Sequence, residues 1–330
     1  MVLDEAHTHT GVAGSHVANV LRRLLRVCTL WDSSSRVEFI CTSATISNPV
    51  AHVRRLTTRT PVCIDESGAP SGEKAMVLWQ PPAAEGPSGQ GNSSSKGFNG
   101  LPLNNHESEN ASSQMQRRSP YAEAADIIAN LVQRNIRCLA FVSARKVADT
   151  VARDVKQLLA KVSRTDLVSK VDSYRAGYNQ TERRALERRL QRGEISALVC
   201  TSALEMGIDV GALDATVHVG IPETASAMWQ QAGRAGRRCG ASVAIVVACE
   251  RPLDHYYVSR ADELFSRRPE EALCDPHNAA ILEVHLPCAA KEVAIDLRGA
   301  DSVIFSACKE DVVGELPQSF KSPLHLAVKR

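Results

Sequence analysis

Apolar and polar positions alternate along this chain in two blocks, separated by a stretch with no period at all. Val2-Leu3 reads as the end of a buried strand whose beginning is absent. From Ser15 to Val27, the residues Val17, Val20, Leu21, Leu24 and Leu25 fall on one helical stripe. Val37 to Cys41 reads as a short strand, and Thr42-Ser43-Ala44-Thr45 as the turn after it. A helix over Val50 to Leu56 and a strand over Pro61 to Ile64 follow. That order is the second half of a parallel α/β lobe. Residues 83–119 are rich in Gly, Ser, Asn, Gln and Pro, which predicts a disordered insert or linker. Patterning returns at Tyr121. It predicts helix 121–134, strand 137–142, helix 145–160, strand 169–174, helix 180–192, strand 197–200, strand 214–219, helix 224–232 and strand 241–248. The alternation of strand and helix predicts a doubly wound parallel sheet.

The expected organisation is therefore a partial first lobe over 1–82, the insert over 83–119 and a complete second lobe over 120–250. A helical extension spans 251–298, and 299–330 has too weak a period to assign.

Composition narrows the function classes only modestly. A hydrophobic share of 44% suits a globular core, and a net charge of +2 means that any nucleic-acid surface must be local. Aromatics at 4% leave few platforms for stacking bases. Ten cysteines without a C-x-x-C pair argue against a zinc site or a disulfide scaffold. They fit a reduced intracellular compartment, the nucleus in a eukaryote and the cytoplasm otherwise. No apolar run is long enough to cross a bilayer, so no membrane partner is expected.

Candidate chemistry starts at Asp4-Glu5-Ala6-His7, directly after the first strand. This has the form of a Walker-B strand end. Asp4 would reach the Mg²⁺ shell through water, Glu5 would orient the attacking water, and successive side chains diverge enough for both roles. His7 would couple the site to the other lobe. Alone, the tetrapeptide also reads as an acidic loop with a chance histidine. Ser43-Ala44-Thr45, one strand later, has the form of a coupling motif, with Ser43 and Thr45 as its hydroxyls. Thr201 to Asp209 follows strand 197–200. Thr201 and Ser202 are placed to grip a phosphate backbone, and Asp209 to meet a ribose or the opposite lobe; Gly207 also reads as a plain turn glycine. Gln230 to Arg237 is the most specific element. Arg234 and Arg237, three apart on a helix, share a face and could reach a γ-phosphate, with Gln230 on the nucleotide or the coupling network. Ser143, Arg145 and Arg175 complete a candidate nucleic-acid path. The basic helix 180–192 is interleaved with glutamates and reads equally as a salt-bridged, solvated face.

Taken together, Val2-Leu3-Asp4-Glu5-Ala6-His7-Thr8, Gly11 to Ala18, Leu21-Arg22-Arg23-Leu24, Cys41 to Pro49, Gly68 to Gly72, Tyr174 to Tyr178, Trp229 to Arg238, Pro252 to Tyr257 and Cys288-Ala289-Ala290 resemble one family. It is that of the superfamily 2 DExH-box DNA helicases of the bacterial mitomycin-repair type and their fungal RecQ-like relatives. The resemblance covers about 1–82 and 120–298. It implies RecA-like lobes, ATP and Mg²⁺ as cofactors, and 3′-to-5′ movement on single-stranded or 3′-tailed DNA in repair, alongside repair partners. Two departures stand out. The chain holds no Gly-Lys pair and hence no GxxxxGK[ST] phosphate loop, and Cys288 and Cys308 lack the company of a four-cysteine cluster. The expectation is an internal, hydrolysis-deficient section of such a helicase. A non-catalytic module binding nucleic acid or a partner, or an RNA helicase, are the rival readings.

Overall fold

A computed structural model describes residues 1–34, 36–66, 68–69, 72–83, 117–174, 177–205, 211, 213–236 and 240–295. In chain order the elements are β1 (Val2–Leu3), α1 (Gly11–Trp31), β2 (Ile40–Cys41), α2 (Pro49–Thr57), β3 (Lys74–Trp79), α3 (Pro120–Gln133), β4 (Cys138–Phe141), α4 (Arg145–Lys161), α5 (Thr165–Val168), β5 (Val171–Tyr174), α6 (Gln180–Gln191), β6 (Ala197–Cys200), β7 (Ala215–Val219), α7 (Ala225–Ala232), β8 (Ser242–Val247), α8 (Pro252–Ser259), α9 (Ala261–Phe265) and α10 (Ala279–Glu292). They form two units. One comprises Met1–Gly68, Thr224–Ser226 and Arg268–Arg330, and the other Ala69–Glu223 and Ala227–Arg267.

The second unit is built on a six-stranded parallel sheet in the order β3-β8-β7-β4-β6-β5. Its strands β4 and β6 are apolar throughout because both faces are covered. Along β4, Cys138 and Ala140 join Ala197, Val199, Ala215 and Val217 against Ile128, Val151 and Val155 of α3 and α4. Leu139 and Phe141 point the other way, onto Leu198 and onto Leu186 and Leu190 of α6. Each fully buried leucine or valine contributes about 1.5–3 kcal/mol. Helix α6 starts on a reciprocal cap: Glu182 N–H donates to Asn179 Oδ1 at 2.8 Å, and Asn179 N–H to Glu182 Oε2 at 3.0 Å.

The first expected strand boundary differs. Residues 61–64 form no strand, and Val62 and Ile64 are exposed. Lys74–Trp79 does, and it pairs along its whole length with β8, from Lys74↔Ser242 to Trp79↔Val247. The edge of β8 offers an unpaired ladder, which outweighs the weak local signal of 74–79. Trp79 Nε1 then donates to Glu123 Oε1 of α3 at 3.1 Å. Most of the expected insert, 84–116, and the unassigned tail lie outside the described residues.

The first unit holds β1 and β2 as a parallel pair, with Leu3↔Cys41 at the end nearest the acidic motif. Helix α1 buries a different face from the expected stripe. Val20 and Leu24 are exposed, whereas Ser15, Asn19, Arg22 and Arg26 are buried beside Ala18, Leu21 and Leu25. The segment after residue 268 presents polar backbone to this face. Arg26 donates to the carbonyls of Ala289 at 2.9 Å and of Val293 and Ala294 at 2.7 Å, and Asn19 to that of Pro276 at 2.9 Å. No helix among the described residues is long and apolar enough to cross a membrane.

Candidate nucleotide site and nucleic-acid edge

In the first unit the acidic motif sits at the end of β1, where the backbone turns sharply. Glu5 adopts the left-handed region at φ 51, uncommon for a non-glycine residue and a local cost. Its surroundings hold it there. Ala6 is fully buried, its N–H donates to Thr42 O at 2.8 Å, and its carbonyl accepts from His52 Nε2 at 2.9 Å. Asp4 Oδ1 accepts from Glu5 N–H at 3.0 Å and from the Thr42 hydroxyl. His7 Nδ1 accepts from Ala44 N–H at 3.0 Å. That bond places the His7 proton on Nε2. Burial depresses the His7 pKa, opposed by Glu5 and reinforced by His52 and His9, so the imidazole is neutral near pH 7. The 3.6 Å approach of Nδ1 to Glu5 Oε2 is therefore no ion pair at that pH.

The acidic and Ser-Ala-Thr motifs are thus joined directly, through Asp4–Thr42 and His7–Ala44. Ser43 and Thr45 do not make the join. The Ser43 hydroxyl donates to Ala44 O at 2.8 Å, and Thr45 O accepts from the Ser226 hydroxyl at 2.9 Å. Thr42 and His52 escaped the sequence reading. Thr42 stands next to the motif and could have been found by its β-branched hydroxyl at a strand end; His52, inside α2, carries no local signal.

No group of three or more His, Cys, Asp or Glu able to hold a metal occurs among the described residues. Asp4 and Glu5 nevertheless suit Mg²⁺, which takes one or two carboxylates, keeps water and shares phosphate oxygens.

In the second unit the expected nucleic-acid residues meet at the carboxyl edge of the sheet. Phe141, Cys200 and Tyr174 are in register at the ends of β4, β6 and β5. Ser143 and Arg145 follow β4 and are exposed; Thr201 and Ser202 follow β6, half-buried and exposed respectively. Ligands of open parallel sheets bind at such edges. Arg175, after β5, lies outside the described residues, as do Gly207, Asp209 and Arg237.

The glutamine-arginine element departs from the expected helix. Helix α7 includes Gln230, half-buried, but ends at Ala232, so Arg234 lies in the turn beyond it. Beyond the helix, Gly236 takes φ +81, which favours glycine, and a Cβ there would meet Ser242 Oγ at 2.5 Å. Arg234 is therefore not on the helix face expected for it. Its side chain is 6% exposed and donates from Nε at 3.0 Å, and from Nη2, to the carbonyl of Glu205. A buried polar chain supports it. Glu205 Oε2 accepts from Gln231 Nε2 at 3.1 Å, and Gln231 Oε1 lies 3.0 Å from His218 Nδ1. His218 Nε2 lies 3.0 Å from the Thr216 hydroxyl. Since Gln231 donates to Glu205, its oxygen faces His218, which fixes the proton on Nδ1. Burial raises the Glu205 pKa; Gln231 and then Arg234 oppose it. From the other side, Lys74 Nζ donates to the carbonyls of Ala232 at 2.6 Å and Ala235 at 3.1 Å. Lys74, Thr216 and His218 were not legible as site residues, because the contacts of Lys74 with the Ala232 and Ala235 carbonyls and of His218 with Gln231 exist only once the chain has folded.

A six-stranded parallel sheet with helices on both faces and motif residues at its strand ends defines a RecA-like helicase fold. Residues 123–239 match the helicase conserved C-terminal domain. The Bacillus subtilis ATP-dependent helicase YprA is 39% identical over 293 residues, 89% of this chain. The Saccharomyces cerevisiae ATP-dependent helicase HRQ1 is 36% identical over 90% of it. The chain spans only 35% and 26% of the length of these two relatives. The crystal structure of the DUF1998 helicase MrfA bound to DNA superposes with a TM-score of 0.80 at 36% identity, covering 96% of this chain and 38% of that one. The chain belongs to the superfamily 2 helicases of the MrfA, YprA and Hrq1 type.

Proposed function

We propose that this chain carries the Walker-B, coupling and arginine elements of an ATP-driven DNA helicase that moves 3′ to 5′ on single-stranded or 3′-tailed DNA in repair. The observation that carries this is the direct hydrogen bonding of the acidic motif to the Ser-Ala-Thr segment across a parallel strand pair. Asp4 would hold Mg²⁺ through water, and Glu5, fixed in its turn, would orient the attacking water. Mg²⁺ bound with ATP supplies charge neutralisation on the β- and γ-phosphates. Neutral His7 accepts a backbone N–H and so ties movement of the acidic turn to the Ser43–Thr45 segment. Arg234, Arg237 and Gln230 would serve the nucleotide, with Gly207 and Asp209 beside it. Arg234 would first have to leave the Glu205 carbonyl. Ser143, Arg145, Arg175, Thr201 and Ser202 would follow the DNA backbone. The compartment follows from this reading: the nucleus in a eukaryote, the cytoplasm otherwise.

One observation favours a second reading, a binding module without hydrolysis: the 330 residues contain no Gly-Lys pair. Both readings require strand binding at the sheet edge. Labelled single-stranded DNA titrated at several salt concentrations should bind the chain, and Arg145→Ala should lower the log–log salt slope by about one phosphate contact. An unchanged slope, or equal competition by single-stranded RNA, would count against the DNA path proposed here.

A further inference from the structure

Within the first unit, the start and end of α2 and the loop at residues 274–277 enclose a cavity of about 920 Å³. Arg22 of α1 and Arg54 and Arg55 of α2 line it, together with Thr58 and Thr60. Arg22 is 4% exposed, yet its Nε and Nη1 have no hydrogen-bond acceptor among the described residues. Its Nη2 reaches only the Arg55 carbonyl, at 3.5 Å. Arg26, one turn along the same helix face, shows the ordinary solution, with three backbone carbonyls at 2.7–2.9 Å. A buried guanidinium without acceptors calls for an anion or water at those nitrogens. Burial depresses the Arg22 pKa, which Cys274 and Asp275 oppose only in part. Arg54 and Arg55 are exposed at the rim and bond to no carboxylate among the described residues. Among the described residues Asp275 is the single acid on the wall, and it accepts from His277 N–H at 3.1 Å. Burial, helped by Arg22, depresses the His277 pKa, so that ring is neutral. The cavity therefore carries a net positive charge.

We propose that this cavity binds a small phosphate monoester, with Arg22 at its floor, Arg54 and Arg55 at its rim, and Pro49, Val50 and Pro276 against the organic part. Guanidinium forks match the terminal oxygens of a dianionic phosphate in number and geometry. The volume lies in the range of small-molecule sites and exceeds what a bare phosphate fills. Asp4, Glu5 and His7 do not line it, so the site is separate from the nucleotide site proposed above.

The test is calorimetric titration of the full 330-residue chain with ribose 5-phosphate, alongside ribose and inorganic phosphate. Arginine side-chain ¹H–¹⁵N spectra would be followed in parallel. Saturable one-site binding should move the Arg22 Nε–H resonance, inorganic phosphate should bind more weakly, and ribose should not bind. Arg54→Gln and Arg55→Gln, both at exposed positions, should each weaken binding about tenfold. Arg22→Gln should abolish it; if that variant fails to fold, the two rim variants still decide. Absence of saturation, equal binding by ribose, affinity unchanged in both rim variants, or displacement by an oligonucleotide carrying only phosphodiesters would each overturn the proposal.

Discussion

His218 shows at the residue scale what burial does to a titratable group. It is fully buried between Thr216 and Gln231 and stacks on Phe141 at 5.5 Å between ring centres. Burial pulls its pKa down to about 4, against which the Gln231 hydrogen bond works and to which Lys74 adds. The folded state thus holds a neutral ring, while the unfolded chain protonates near the ordinary histidine value. Stability from this group is fully present above the unfolded pKa and is lost as pH falls toward the folded one. The loss is on the order of 3 kcal/mol. The resistance of the second unit to urea should therefore fall between about pH 7 and pH 4, and His218→Gln should remove most of that dependence. Equal pH profiles for the two proteins would show that His218 is not the source. The same chain of bonds ends on Arg234. It explains why a motif arginine expected on a helix face is instead held in a turn.

At the scale of elements, β3 carries more than its own ladder. Its pairing with β8 protects an edge, Trp79 reaches Glu123 of α3, and Lys74 caps the carbonyls at the end of α7. A polypeptide of residues 69–267 keeps all three, and one of residues 120–267 loses them. The shorter piece should melt on the order of 10 °C lower, since each kcal/mol shifts a domain of this size by roughly 2–4 °C. Matching melting curves would mean that β3 is an accessory strand. Helix α6 shows how an ambiguous sequence resolves. Arg189 pairs with Asp172 at 3.0 Å, Glu187 accepts from the Tyr174 hydroxyl at 2.8 Å, and Arg183 lies over the Tyr174 ring. The interleaved charges of this helix are therefore partly spent on its own unit.

At the scale of the whole molecule, the family is clear while hydrolysis by this polypeptide is not expected. Without a Gly-Lys pair no loop of amides with a lysine positions the β- and γ-phosphates for Asp4, Glu5 and the arginines. The purified chain should turn over ATP at background rate with or without DNA, and Glu5→Gln should change nothing. DNA-stimulated turnover that disappears in Glu5→Gln would refute this. A net charge of +2 adds little steering, so strand binding should depend on the few arginines at the sheet edge.

The sequence by itself determined the α/β class, the order of strands and helices from Tyr121 to Ala248 except the short helix α5, and the acidic, Ser-Ala-Thr and glutamine-arginine motifs. Each is written within a few neighbouring residues, as a period of 2 or 3.6 or as a strand end followed by its chemistry. What depends on partners far along the chain was not legible. The pairing of β3 with β8, the polar buried face of α1, the Lys74 cap and the Thr216–His218–Gln231–Glu205 chain each join residues brought together by folding. Only the tertiary structure decided them, because hydrogen-bond satisfaction in a buried site depends on which carbonyls and side chains arrive there, and sequence spacing does not encode that.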